Sequence, residues 1–335
     1  MASLLATLDS RGWLTALFIV VVWLLYTRYH RRAHRRSLSG LTILITGCDT
    51  GLGCHLALHL HSVGMVVYAG CLTHGAVKEL TNLALPHFHP LQLDVTSDAS
   101  AAAAINFITA RSASLHCLIN NAGVFDTFLC ELTPLSAYGR CMDVNFLGTV
   151  RLTQHCAPLL RRCGGRLVTV GSFLGSVSGW SLSAYSASKW ALEGWHDSVR
   201  GELAMFGVQC MLLQPGTMRT QLVTEVGAVY RRRWEAASAT VKADYGADML
   251  RVIPAVERIM ALLSSDTIGV VREVEQQLRR AQMDSRVRVG WDSRLCGLVR
   301  HLPISDRMMD WLLATLVSMP TPAAILLTAG ASTSK

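Results

Sequence analysis

Lysine is scarce in this chain, with four in 335 residues, at positions 78, 189, 242 and 335. Charge of either sign is thin, at 16% of residues against 51% hydrophobic. None of the ten cysteines forms a Cys-x-x-Cys pair. That removes the paired ligand spacing a zinc site needs, and no metal is expected. Several cysteines fall inside apolar strand or helix patterns, where a free thiol acts as a small hydrophobe, so reduced thiols in a cytosol-facing domain are expected. The chain shows no internal repeat, no long low-complexity segment and no linker inside 40–270. Nor is there a broad basic surface. Arg28, Arg31, Arg32, Arg35 and Arg36 supply five of the eight net positive charges. Nucleic-acid binding needs a concentrated basic face on the folded domain. The one further basic run, Arg231-Arg232-Arg233, is short and reads as a solvated helix face.

From Trp13 to Thr27 the chain reads WLTALFIVVVWLLYT, without a charge. This is short for a span, which takes about 20 residues. Flanking tyrosines and snorkelling arginines let such a segment cross a thin membrane. A cleaved signal peptide would carry its positive charge before the apolar run, whereas here the charge follows. A buried core helix is the alternative, against which the arginine cluster argues. An uncleaved anchor is the favoured reading, with the main domain on the cytosolic side.

Past the arginines, short apolar runs alternate with helical stretches. Strands are expected at 41–46, 65–69, 88–93, 115–119, 166–170 and 208–213. The expected helices include long ones near 136–160 and 183–206. Strands that are apolar throughout, separated by helices, indicate an α/β fold: a doubly wound, mainly parallel sheet covered on both faces. Three regions are expected: an anchor and basic flank at 1–39, the main α/β domain at 40–270, and a C-terminal helical appendage at 271–335. In the last, Trp311–Met319 either caps a pocket or touches membrane.

Ligands bind such a sheet at the carboxyl ends of its strands. After the first strand comes Thr46-Gly47-Cys48-Asp49-Thr50-Gly51-Leu52-Gly53. Its glycines let the backbone approach a pyrophosphate, and the following helix offers free N–H groups. Asp94 and Val95 follow the third strand, and Asn120-Asn121-Ala122-Gly123 the fourth. Tyr185 and Lys189 stand four apart and share a helix face, where an ammonium favours ionisation of a phenol. Ser172 lies thirteen residues upstream of Tyr185.

These motifs, with Pro215-Gly216 after the sixth strand, resemble the short-chain dehydrogenase/reductase family over residues 40–270. The resemblance implies a Rossmann-type fold and a dinucleotide held by Thr46, Gly47, Asp49, Gly51, Leu52, Gly53, Asp94, Val95, Asn121, Ala122, Gly123, Pro215, Gly216 and Thr220. It implies Tyr185 as general acid/base, Lys189 lowering its pKa and holding the nicotinamide ribose, and Ser172 binding the substrate oxygen. Asn145, in Met142-Asp143-Val144-Asn145, matches the asparagine that holds a relay water. NAD is the expected cofactor, with NADP left open: Asp49 stands in the turn and no cation follows the second strand before Lys78. Thr46-Gly47-Cys48-Asp49, Ala69-Gly70-Cys71-Leu72 and Gly290-Trp291-Asp292 resemble the membrane-anchored retinol and hydroxysteroid dehydrogenases. That branch implies interconversion of a lipophilic alcohol, steroid (including ecdysteroid) or retinol, and its ketone or aldehyde, with a lid expected at 221–247; an NADPH-dependent carbonyl reductase and a catalytically inert nucleotide-bound scaffold are the alternatives. It also implies the endoplasmic reticulum membrane, with the catalytic domain facing the cytosol, and a homodimer or larger assembly paired through the two long helices.

Overall fold

The computed structural model describes residues 36–299 and nine isolated positions in the flanking segments. The expected membrane anchor and Trp311–Met319 lie outside the described residues, a few positions apart. Among the described residues no helix is long and apolar enough to cross a membrane.

Seven parallel strands form one sheet in the order β3-β2-β1-β4-β5-β6-β7. They are β1 (Thr42–Thr46), β2 (Val66–Cys71), β3 (Phe88–Gln92), β4 (Cys117–Asn120), β5 (Arg166–Val170), β6 (Gln209–Pro215) and β7 (Arg286–Val289). The helices are α1 (Gly51–Ser62), α2 (His74–Asn82), α3 (Asp98–Thr109), α4 (Leu135–Cys141), α5 (Gly148–Arg162) and α6 (Ser183–Ala204). After β6 come α7 (Val226–Ala236), α8 (Ala239–Tyr245), α9 (Val252–Leu263) and α10 (Ile268–Arg279); α11 (Trp291–Val299) follows β7.

Successive side chains on a strand face opposite ways, and both faces are apolar. Ile43, Ile45, Val67, Ile119 and Val168 pack on one side with Leu56 and Leu60 of α1 and Val270 and Val274 of α10. Leu44, Tyr68, Leu118 and Leu167 pack on the other with Ile108 of α3 and Leu152 and Leu159 of α5. Each fully buried Leu, Ile or Val stabilises this layering by about 1.5–3 kcal/mol.

The sheet runs past residue 270, the expected end of the domain. Arg286–Val289 pairs with Leu212–Pro215. Its Arg-Val-Arg-Val alternation is that of an edge strand, unlike the mostly apolar and buried interior strands. Buried Arg166 ties α10 down as well. Its guanidinium donates to the carbonyls of Gln277 (3.0 Å), Leu278 (2.6 Å) and Arg280 (2.5 Å), satisfying groups a helix end leaves open. Burial pushes this guanidinium down to about 10.

The helix expected at 136–160 is divided. A wide π-type turn at Met142–Leu147 separates α4 from α5, and it carries Asn145, which is fully buried. Such widened turns recur at functional sites.

Candidate active site

Strand order reverses between β1 and β4, which opens a crevice at the strands' carboxyl ends. One wall is the turn from β1 into α1, where Gly47 and Gly51 have φ of +67° and +61°. A Cβ on Gly53 would lie 2.1 Å from the Gly47 carbonyl oxygen, and one on Gly47 would lie 2.8 Å from Ala122 Cα. Only glycine allows so tight a turn. Thr46 and Asn121 hold it from behind. Thr46 Oγ1 accepts from the backbone N–H groups of Asn121 and Ala122, both at 2.9 Å. Asn121 Nδ2 donates to the carbonyls of Thr46 and Gly47 at 2.8 and 3.2 Å.

Asp49 spans from this turn to the end of β2. Its carboxylate accepts from Leu72 N (2.8 Å), Thr73 N (2.9 Å) and Thr73 Oγ1 (2.9 Å). Asp94 makes a similar local turn, accepting from Thr96 N at 2.8 Å and Thr96 Oγ1 at 2.7 Å. Val95 packs against Gly148, where a Cβ would lie 2.7 Å from Val95 Cγ2. Neither Asp94 nor Val95 lines the cavity.

Ser172 leaves the end of β5, while Tyr185 and Lys189 project from successive turns of α6. The Ser172 hydroxyl lies beside the Tyr185 phenol and accepts from Leu174 N at 3.2 Å. Lys189 Nζ donates to the Val170 carbonyl at 3.0 Å and lies 5.7 Å from the centre of the Tyr185 ring. Asn145 has its side chain fully engaged. Its Oδ1 accepts from Val124 N at 2.8 Å, and its Nδ2 donates to Val124 O at 3.1 Å and Ser188 Oγ at 2.9 Å. Asn145 therefore fastens the segment after β4 to α6, and its own carbonyl accepts from Thr149 Oγ1 at 3.0 Å.

Burial dominates the electrostatics of the pair. It pushes the Tyr185 phenol up to about 12, opposed by the nearby Ser172 hydroxyl. It pushes Lys189 down to about 8, opposed by Cys141 and Glu193. The phenol is thus held protonated, where the spacing alone suggests one lowered by its lysine.

One cavity of about 520 Å³ joins these parts. It runs from Gly47 and Asp49, past Tyr185 and Lys189, to Phe125, Val223 and Met260. Pro215, Gly216 and Thr220 lie along its wall, as do Leu52, Ala122 and Gly123. Lys189 is the only cationic side chain lining it among the described residues. The glycine cradle and the open N-terminal turn of α1 fit a dinucleotide pyrophosphate.

Phe125 was not foreseen, and its ring centre is 5.2 Å from that of Tyr185. Beside it, buried Asp126 accepts from Arg140 (2.7 Å) and Arg233 (2.5 Å), with Arg232 at 3.7 Å. Arg231 pairs with Glu257 at 2.9 Å. The run 231–233 is therefore no plain solvated face, since a buried carboxylate on another segment draws it in. Tyr230 and Trp234, in the expected lid, pack with Phe128, Val252 and Ile253 in a separate small core. Val223 and Val226 reach the cavity. No sequence spacing signals Asp126, because its partners are about 14 and 107 residues away.

The sequence pattern described as "short chain dehydrogenase" matches residues 41–230. The chain belongs to this family. It is 31% identical over 307 residues to mouse retinol dehydrogenase 7, covering 89% of this chain and 97% of that one. It is 30% identical to bovine 17-beta-hydroxysteroid dehydrogenase type 6 (93% and 99% covered). It is 33% identical to mouse mitochondrial D-beta-hydroxybutyrate dehydrogenase (81% and 84%). A Burkholderia phymatum short-chain dehydrogenase/reductase solved with NAD shares the fold, with a TM-score of 0.63 and 20% identity over 75% of this chain and 90% of that one. One from Burkholderia cenocepacia, solved with NADP, has a TM-score of 0.64 and 23% identity over 85% and 100%. The chain is an oxidoreductase of the alcohol dehydrogenase type, in the retinol and hydroxysteroid branch, and uses NAD or NADP.

Proposed function

We propose that this protein oxidises a lipophilic alcohol, a steroid or retinol, to its ketone or aldehyde with NAD. The observation that carries this is the single cavity joining a glycine cradle to Tyr185, Ser172 and Lys189, with an apolar far wall. NAD, when bound, supplies the hydride acceptor. Ser172 Oγ holds the alcohol oxygen, and Tyr185, once ionised beside the Lys189 ammonium, takes its proton as general base. Lys189 Nζ holds the nicotinamide ribose and the charge balance of the phenol. Asn145 keeps Val124 and α6 in register around them. Phe125, Val223, Val226 and Met260 exclude water and accept an apolar skeleton.

The choice of NAD rests on Asp49. Its carboxylate sits at the end of β2, where a 2′-phosphate would meet negative charge and no cation. The segment at 13–27 would hold the enzyme in the endoplasmic reticulum membrane, with the catalytic domain on the cytosolic side. A substrate that partitions into the bilayer suits that placement. Pairing through α5 and α6 would give a dimer or larger assembly.

A second reading is favoured by one observation: Tyr185, pushed up to about 12, is a proton donor at neutral pH. That suits carbonyl reduction. Both readings are tested by microsomes carrying the full chain. They are given steroid (ecdysteroids included), sterol and retinoid alcohols and the matching carbonyls, with NAD(H) and NADP(H) in parallel. Oxidation with NAD is expected. Faster reduction with NADPH would favour the second reading, and failure on every lipophilic substrate would contradict the substrate class.

A further inference from the structure

Gly290-Trp291-Asp292 stands between β7 and the body of α11, in the C-terminal part of the chain. The Asp292 carboxylate is buried, 5% exposed. Its Oδ1 accepts from the neighbouring Ser293 N at 2.9 Å, an ordinary local bond. Its Oδ2 accepts from Thr217 N at 2.6 Å, across 75 residues of sequence. Charge-assisted bonds of that length are among the strong ones.

Two glycines make room for this carboxylate. A Cβ on Gly216 would lie 1.8 Å from Asp292 Oδ1, and one on Gly290, at φ +104°, would lie 2.6 Å from the same atom. Gly216 N also donates to Val289 O at 2.7 Å. Ser293 Oγ donates to Gln214 O at 2.7 Å. The segment 214–217 is thus pinned from behind by β7 and α11, while Pro215, Gly216 and Thr217 form cavity wall on its front. Asp292 itself does not reach the cavity.

We propose that Asp292 is a positioning residue for the cofactor: through Thr217 N it sets the 215–217 backbone against the nicotinamide end of the dinucleotide. α11 is then a working part of that site, though it never touches the ligand. This rests on the reading that the cavity binds a dinucleotide.

The test is isothermal titration of NAD into the detergent-solubilised full chain. Asp292→Asn turns one charged acceptor into an amide facing N–H donors, and NAD binding weakens about tenfold or more. Arg294→Ala, at an exposed side chain on the first turn of the same helix, leaves the NAD Kd within about twofold. A merely structural anchor would lower the melting temperature of Asp292→Asn and leave its NAD Kd unchanged, which would overturn the proposal. Hydrogen exchange on the wild-type chain gives a readout that needs no variant. Coupling is reciprocal, so NAD slows amide exchange at 290–294 as well as at 216–217. Protection confined to 216–217 would contradict the proposal. A wild-type chain that binds neither NAD nor NADP would sink the function reading and this inference with it. NAD binding by the wild type and equally tight binding by Asp292→Asn would overturn this inference alone.

Discussion

The cofactor end and the substrate end of the cavity are built by different means. At the cofactor end the backbone does the shaping, with Gly47, Gly51 and Gly53 folded so closely that a Cβ on Gly53 would lie 2.1 Å from another carbonyl oxygen. Hydrogen bonds donated by Asn121 and accepted by the Asp49 carboxylate close it. At the substrate end the shape comes from side-chain packing of α7 and α9 around Phe128, Tyr230 and Trp234. Asp126 fastens that layer by gathering arginines from α4 and α7. The first construction tolerates almost no variation, because backbone cannot repack. The second can change residues while keeping its volume, which suits the end that must differ between substrates.

The largest expected effect breaks the cofactor end alone. Gly53→Ala drives a methyl into the Gly47 carbonyl, and NAD binding falls at least about a hundredfold, or about 2.7 kcal/mol. Titration calorimetry of the variant checks it. Val226→Ala, at the other end, raises the KM for the alcohol and leaves the NAD Kd alone.

His196 tests the frame beneath both ends. It is fully buried beside Thr169 Oγ1 (3.1 Å), and burial pushes its imidazole from 6.5 down to about 4. Asp197 opposes that shift, and Arg286 and Arg200 reinforce it. The unfolded chain therefore binds this proton first as pH falls. The stability is fully present above about pH 6.5 and is lost on the way down to about pH 4, about 3 kcal/mol in all. Replacing it in His196→Gln flattens that acid limb in a melting-temperature profile against pH.

Asp126→Asn loosens the substrate end. Losing a charged acceptor for two arginines costs about 2 kcal/mol of stability. The alcohol KM rises several-fold, while the NAD KM stays. An equal rise in both would erase the distinction between the two ends. The smallest effect is at Arg231, half-exposed and paired with half-exposed Glu257. Arg231→Ala shifts stability by at most about 0.5 kcal/mol and activity not at all.

The same contrast explains what could be read from sequence. The glycine turn, Asn121 after β4 and the Tyr185/Lys189 spacing were legible because each is a local pattern with one backbone context. The interior strands were legible because burial on both faces leaves them mostly apolar. β7 was not, since Arg-Val-Arg-Val at a sheet edge resembles loop or helix surface. The π-type turn at Met142–Leu147 left no mark in a helical periodicity. Asn145 was picked out by its motif, yet its side-chain bonds to Val124 and Ser188 depend on how β4 and α6 meet. Asp126 escaped, and Asp292 was marked only as part of the Gly290-Trp291-Asp292 motif, for one reason: their decisive partners are far along the chain and come together only in the folded sheet.

The central claim is that Tyr185 moves the substrate proton in a cavity that also holds the dinucleotide. Tyr185→Phe in microsomes, measured for NAD binding and for alcohol turnover together, tests it most directly. The account predicts wild-type NAD affinity with turnover reduced at least about a thousandfold. Turnover that survives with the phenol gone would contradict it.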